Sequence, residues 1–466
     1  MSSCEDMLLI NESDNVAVNL KNGHKYSTKD IKKGENIIKY GFAIGHATCD
    51  IKKGEHVHTH NMKTNLDGIE NYTYEPEKIE YKKIKTDKTF MGYRREDGGC
   101  GIRNDVWIIN TVGCVNDIAR RLSQLTGAFC FPHPYGCSQL GADSKTTALI
   151  LKGLINHPNA GAVLVLGLGC ENNNINELKK VLGNVNEKRV KFLNVQDTED
   201  EIEAGVGIIN ELKGYAGGFK REKISVSELK IGLKCGGSDG FSGISANPLV
   251  GRFCDMLTSF GGCAILTEVP EMFGAEKLLM RRCKNEEVFK KTVKLINDFK
   301  NYFKAHNQPV YENPSPGNKE GGITTLEEKS LGCVQKGGTS EVYDVLDYGD
   351  TAKKGGLNLL NGPGNDIVAI TNLTAAGAHM ILFTTGRGTP LGAPVPTVKI
   401  SSNAAIASKK KSWIDFDASE VLKGKKLEFP AERLLSSVID IASGKLTKNE
   451  ENGYREIAIF KDGVTL

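Results

Sequence analysis

Residues 160–171 read AGAVLVLGLGCE, an apolar run from Ala160 to Leu168 that ends in glycine, cysteine and glutamate. It is less than half the roughly 20 residues of a membrane span and is interrupted by glycine, so it reads as a buried strand. The same rhythm extends on both sides of it. VWIINTV, GAFCF and VKFLNV are strand-like, whereas NDIARRLSQL, KTTALILKGLINH, NNINELKKVL and DEIEAGVGIINELKGY carry helical spacing. Strands alternating with helices of ten to fifteen residues predict an α/β region with mostly parallel sheets. A second such unit begins near Ser227 with KIGLKCG, NPLVGRFCDMLTSF and CAILTEV, and it continues through LNLLN, IVAITNL and MILFTT to a last helix near Pro430–Gly444. The Gly/Pro/Asn-rich stretch from Gln308 to Gly338 is too long for an ordinary connection and reads as a functional loop.

Upstream of Thr64 the pattern is different. Short alternating runs (VAVNL, NIIKYGFAIG, HVHTH) separated by KNG and KKGE turns predict a small all-β unit. DIKKGE occurs at Asp30–Glu35 and again at Asp50–Glu55, which suits two related hairpins. Apolar periodicity disappears between Asp67 and Lys88, so we divide the chain into an all-β domain (1–75), a linker (76–88), an α/β domain (89–226) and a C-terminal α/β domain (227–466).

Composition narrows the function. Lys plus Arg number 60 against 57 Asp plus Glu, a net charge of +3, so no overall field draws in nucleic acid or an anionic membrane. The 52 glycines are about 11% of 466 residues, above the average near 7%, and ask for tight turns and close backbone approach. Twelve cysteines are too dilute for a disulfide scaffold, and MSSCEDMLLI has no leader pattern. We therefore expect a cytoplasmic protein with reduced thiols.

Four cysteines share one local context: TVGC at Cys114, PYGC at Cys137, GLGC at Cys170 and LKCGG at Cys235. Ligands of open parallel sheets bind beyond the carboxyl ends of strands, so these thiols are either buried core or ligands for iron, zinc or a cluster. His56, His58 and His60 have period two and share one face of a strand, a pattern suited to a metal or an anionic sugar acid. His133, fixed between two prolines four residues before Cys137, and Glu171, next to Cys170, are candidates for proton transfer. CGGSDGFSG, with Ser238 and Asp239, and GPGND could expose N–H groups to a carboxylate. Arg387 in TTGRGTP suits bidentate carboxylate binding. The long loop adds Glu312, Asn313, Lys319, Glu327, Glu328 and Lys329.

IIKYGFAIGHA, GEHVHTHN, TVGCVNDIAR, YGCSQLG, HPNAGAVLVLGLGCENN, CGGSDGFSGISANPLVGRF, TEVPEMFGAE, YENPSPGNKEGGITTLEEKSLGC, GPGND and FTTGRGTP together resemble the altronate/galactarate dehydratase family over essentially the whole chain. The resemblance implies an N-terminal β-clip (SAF) domain joined to a larger α/β region, dependence on iron(II) or manganese(II), and removal of water from a sugar acid to give a 2-keto-3-deoxy acid in hexuronate catabolism; an iron–sulfur cluster is an option raised by the cysteines alone. GEHVHTHN points to the altronate branch and a substrate with one carboxylate. From the residues themselves we expect His133, Glu171 and Cys137 in catalysis, Arg387, Ser238, Asp239, Asn61 and Lys319 at the substrate, and His56, His58, His60, Cys114, Cys170 and Cys235 at a metal. FPHPYGC carries extra prolines relative to the family loop, and His46 is a second departure. The implied partner is a small sugar acid, without nucleic acid or membrane; a homo-oligomer is compatible. Galactarate dehydration, a lyase for a sulfonated hydroxy acid and a non-catalytic binding module are the other readings.

Overall fold

The computed structural model describes residues 6–79, 83–353, 355–424 and 426–466. The N-terminal domain is all β. Strands β1 (Met7–Leu8), β2 (Val16–Asn19), β3 (Lys25–Ser27) and β6 (His56–Val57) form one antiparallel sheet, and β4 (Asn36–Lys39), β5 (Phe42–Ala47) and β7 (Met62–Lys63) form another. The repeated hexapeptides meet each other: Ile31 bridges Ile51, while Lys33 N–H donates to Asp50 and Lys53 N–H to Asp30, both at 2.9 Å. Duplicated sequence thus becomes a pair of mutually capped turns.

From residue 64 to 88 the described chain forms no helix or strand. It is nevertheless anchored. Tyr72 donates to Glu276, Lys300 joins both at 2.9 and 2.8 Å, and Tyr74 rests on Phe289.

Beyond it, β8 (Thr89–Arg94), β9 (Cys100–Gly101) and β14 (Arg221–Ser225) make a small antiparallel sheet. Strands β10 (Asp105–Asn110), β11 (Phe129–Cys130), β12 (Ala160–Gly167) and β13 (Val190–Asn194) form a parallel sheet in the order β11-β10-β12-β13. All of β12 is buried, as its unbroken apolar run requires.

The C-terminal domain is built on seven parallel strands: β15 (Lys230–Cys235), β16 (Cys263–Leu266), β17 (Val342–Leu346), β18 (Gly356–Leu360), β19 (Met380–Thr385), β20 (Thr397–Ser401) and β21 (Phe416–Asp417). Their order is β17-β18-β16-β15-β19-β20-β21, so the chain leaves β15 first to one side and later to the other. That reversal opens a crevice beyond the carboxyl ends of β15 and β19. Among the described residues, no helix is long and apolar enough to cross a membrane.

The expected loop between Gln308 and Gly338 is more ordered than its composition suggests. It holds the helices Pro316–Glu320 and Leu326–Cys333 and the tight turn Val334–Gly337. Every residue of Leu326–Cys333 is buried, and its charged side chains make the inter-domain contact. Lys25 and Lys39 reach Glu328 at 2.8 and 2.7 Å, and Thr64 and the Asn65 N–H donate to Glu327. The C-terminal tail ties the α/β domains together: Arg455 pairs with Asp105 at 2.8 Å, and the Asp462 and Gly463 N–H groups donate to Asp143.

Burial alone would raise the pKa of Glu328, but Lys25 and Lys39 hold it well below the usual carboxylate range. A depressed folded-state pKa gives stability that is complete above the unfolded pKa near 4.3 and is lost as pH falls through the folded value. Glu328→Gln should therefore lose about 3–5 kcal/mol at pH 7, read as a lower urea midpoint and faster cleavage within 67–88, because two ammonium groups stay buried without their anion. Its deficit against wild type should shrink below about pH 4. Equal midpoints at pH 7 would show that the contact does not hold the domain in place.

Candidate active site

The crevice at the strand ends is a cavity of about 730 Å³ lined by Cys235, Glu271, Lys329, Asp366 and Arg387 together with Ser238, Asn313 and Asn318. Cys235 closes β15, Glu268 and Glu271 follow β16, Asp366 follows β18 and Arg387 follows β19. The loop after β15 must be glycine-rich. A Cβ on Gly236 would lie 2.6 Å from both the Asp366 carboxylate and the Phe383 ring.

Beneath this cavity lies a buried network of lysines, carboxylates and thiols. Lys234, within β15 and fully buried, pairs with Glu268 and with Asp366 at 2.8 Å. Lys336 donates to the Cys235 thiol at 2.8 Å and reaches Glu268 at 3.3 Å. Lys329 bonds Glu271 at 2.8 Å, Asn313 at 3.0 Å and Asn318 at 3.2 Å. The Cys235 and Cys333 sulfurs are 3.4 Å apart, and each lies 3.2 Å from Glu271 Oε2. Among the described residues these three form the compact group able to take one metal ion.

The charges are tuned by their neighbours. Burial and the adjacent Glu271 raise Glu268. Burial would raise Glu271 as well, but Lys329, Lys234 and Lys336 hold it well below its ordinary value. The bond to Cys235 and burial push the Cys333 thiol far up, so Cys333 keeps its proton in the metal-free state. Glu268 sits at φ 71°, a left-handed conformation unusual for a residue with a side chain, which aims its carboxylate at Lys234 and Lys336.

The structure brings together only some of the residues expected from sequence. Arg387, Cys235 and Ser238 line the cavity, and Arg387 pairs with Glu320 at 3.0 Å. Asp239 lies behind its loop, where its oxygens accept from Ser242, Ser402 and Asn403 and fix the turn. Cys114, Cys137 and Cys170 are in the middle domain, on three interlocked loops beyond β10, β11 and β12, and Cys114 and Cys170 are exposed. The four strand-end cysteines are thus divided between two sheets.

His133 and Glu171 lie in those middle-domain loops rather than in the cavity lining. His133 is buried with Nε2 on the Asn110 carbonyl at 2.9 Å, and burial lowers its pKa. Glu171 accepts from Thr111 and from the Leu168 and Gly169 N–H groups, so its carboxylate closes a turn. His56, His58 and His60 lie near one another at one edge of the N-terminal domain, but not on one strand face as the period-two reading expected: β6 ends at Val57, and His58 and His60 stand in the turn that follows it. Asn61 holds that turn through the His58 N–H and the His56 carbonyl. Lys319 contributes its backbone carbonyl to His58 Nε2 at 2.8 Å. His46 bonds Asn65 at 2.8 Å.

Sequence reading did not single out Lys234, Glu268, Glu271, Cys333 or Lys336. Usable signals existed: a lysine inside the apolar run KIGLKC, two glutamates directly after β16 in TEVPE, and SLGC echoing GLGC.

Exposure predicts a reactivity order. Native protein treated with iodoacetamide should be alkylated at Cys49, Cys114 and Cys170 before Cys235 and Cys333, which become reactive on unfolding. Peptide mass mapping that found Cys333 modified as fast as Cys170 would contradict the closed network.

Residues 10–65 match the altronate/galactarate dehydratase SAF domain, residues 92–217 the second domain of D-galactarate dehydratase/altronate hydrolase, and residues 226–465 the C-terminal domain of D-galactarate/altronate dehydratase. The chain is 52% identical to the altronate dehydratase of Escherichia coli (strain K12), covering 97% of this chain and 94% of that protein. It is 54% identical to the altronate dehydratase of Bacillus subtilis (strain 168), covering 96% and 92%. Against the galactarate dehydratase (L-threo-forming) of E. coli it is 30% identical, covering 94% and 89%.

Proposed function

The chain belongs to the altronate/galactarate dehydratase family, and we infer that it is a hydro-lyase that removes water from D-altronate to give 2-dehydro-3-deoxy-D-gluconate. The observation that carries the altronate reading is identity of 52% and 54% to altronate dehydratases over nearly whole chains, against 30% to a galactarate dehydratase. The cavity chemistry agrees with it: cations and carboxylates converge where a hydroxy acid would lose a proton and a hydroxyl group.

The hydrogen at C2 of an aldonate is weakly acidic because the neighbouring carboxylate already carries charge. Its removal builds a second negative charge, which fixed cations in a buried site stabilise. Lys329 supplies one such charge at the cavity wall, and Arg387 at the mouth orients the substrate carboxylate. We assign the proton at C2 to Asp366, which lines the cavity and is held by Lys234. Lys329, kept protonated by Glu271, is placed to protonate the departing C3 hydroxyl. The resulting C2=C3 enol then takes up a proton at C3 and becomes the ketone. No histidine lines the cavity among the described residues, so this assignment replaces His133 and Glu171.

The family's divalent metal fits the Cys235, Glu271 and Cys333 donor set. Three carboxylates (Glu268, Glu271, Asp366) face three ammonium groups (Lys234, Lys329, Lys336) around the two sulfurs. A divalent ion held by thiolate and carboxylate would be neutralised by its own ligands, which matters in a site where net charge is costly. Two sulfurs with one oxygen suit iron(II) better than the harder manganese(II). When bound there, the ion would supply Lewis-acid withdrawal of electron density from substrate oxygens.

An anaerobic assay of chelator-treated protein tests the reading. Iron(II) should restore 2-keto-3-deoxy acid formation from D-altronate, with manganese(II) the poorer substitute and galactarate the poorer substrate. Asp366→Asn should lower kcat about 100-fold or more with little change in KM, as loss of a general base does. Arg387→Met should act mainly on KM. Folded, metal-loaded protein that leaves altronate intact would defeat the proposal.

A further inference from the structure

Outside the cavity, the described chain gathers four imidazoles at one edge of the N-terminal domain. His24, absent from the period-two triplet, joins it from the turn before β3: its Nδ1 lies 3.0 Å from His56 Nε2. Ring centroids are 5.0 Å apart for His24 and His56, 5.6 Å for His24 and His58, and 5.3 Å for His56 and His58. Imidazoles bound through nitrogens at about 2.0–2.1 Å to one tetrahedral ion have centroids about 5 Å apart.

The second nitrogens are already engaged in the manner of metal-bound histidines. His24 Nε2 lies 3.2 Å from the Glu320 carbonyl and His58 Nε2 lies 2.8 Å from the Lys319 carbonyl. An Nε2–H that donates to a carbonyl leaves the lone pair on Nδ1, as outer partners of metal ligands do; His58 Nδ1 now lies 3.1 Å from Thr59 Oγ1, and a turn of its ring is needed for the three nitrogens to converge. We propose that His24 Nδ1, His56 Nε2 and His58 Nδ1 form a second divalent metal site for a borderline transition ion such as zinc or iron(II), separate from Cys235–Glu271–Cys333. Binding exchanges the His24–His56 hydrogen bond for two metal bonds, moves the His56 proton to its Nδ1, and turns the His58 ring away from Thr59. His60, with its ring 5.7 Å from that of His56, stays outside the ligand set.

The site has a structural reach. The carbonyls that orient His24 and His58 belong to helix Pro316–Glu320, whose Gly317 and Asn318 line the cavity and whose Glu320 pairs with Arg387. A metal on the imidazoles would therefore fix the wall that carries the substrate-orienting guanidinium.

Cobalt(II) is the probe, because thiolate ligands give it an intense charge-transfer band that imidazoles do not. Chelator-treated full-length protein, titrated anaerobically, should bind two equivalents, of which only one contributes to the thiolate band. His24→Asn and His56→Asn should each bind one equivalent and keep the band, whereas Cys333→Ser should weaken the band and keep the other equivalent. Cobalt bound without any thiolate band but lost in the histidine variants would support this site while overturning the thiolate one. Wild-type uptake that saturates at one equivalent together with the thiolate band overturns the proposal, even if the variants fail to fold. Equal uptake by folded histidine variants and wild type overturns it too.

Discussion

Burying charge away from water costs several kcal/mol per ion unless a partner is placed against it, and here that requirement falls on one short helix. Leu326–Cys333 reads LEEKSLGC, and all eight residues are buried. Glu327 and Glu328 are answered by Thr64, Asn65, Lys25 and Lys39 from the N-terminal domain. Lys329 is answered by Glu271, and Cys333 meets Cys235 from the central strand. Neither domain can satisfy this helix alone. The docking of the β-clip domain and the closure of the cavity floor are two faces of one desolvation problem.

The parallel sheet supplies the other half of the constraint. Because the chain leaves β15 on one side and returns on the other, side chains from four strand ends converge without any being close in sequence: Cys235, Glu271, Asp366 and Arg387. A lysine within β15 would ordinarily break a central strand, since it has no route to water. Lys234 is tolerated because Glu268 and Asp366 meet it at the strand end, and the left-handed backbone at Glu268 is the local strain that permits this approach.

The fold was legible where local pattern decides it. Alternation around Ala160–Leu168 indicated a parallel sheet with helices, and the KNG and KKGE turns indicated a small β domain. The site was legible only in part. Arg387, Cys235 and Ser238 could be found because glycine-rich loops after strands announce a crevice. Glu268, Glu271, Cys333 and Lys336 could not be found by spacing, since their association depends on which strands become neighbours. Leu326–Cys333 misled for a related reason: a helix buried on every side has no amphipathic period, and its charges make it look like a loop. His133 and Glu171 lie outside the cavity lining. Each has the chemistry of a catalyst, yet each is occupied with holding the backbone of its own turn.

The linker gives the buried contact its economy. A separate β-clip domain would have to desolvate Lys25 and Lys39 while losing its translational freedom, and the body would meanwhile hold Glu328 without its cations. Joining the two parts through residues 64–88 makes that encounter intramolecular, with an effective concentration set by a tether of this length. Tyr72 and Tyr74 shorten it further by fastening its middle to Glu276, Lys300 and Phe289. The same docking that satisfies Glu328 presses the imidazole edge onto helix Pro316–Glu320, and through Glu320 it reaches Arg387. The wall of the cavity is therefore set by a domain none of whose described residues lines the cavity.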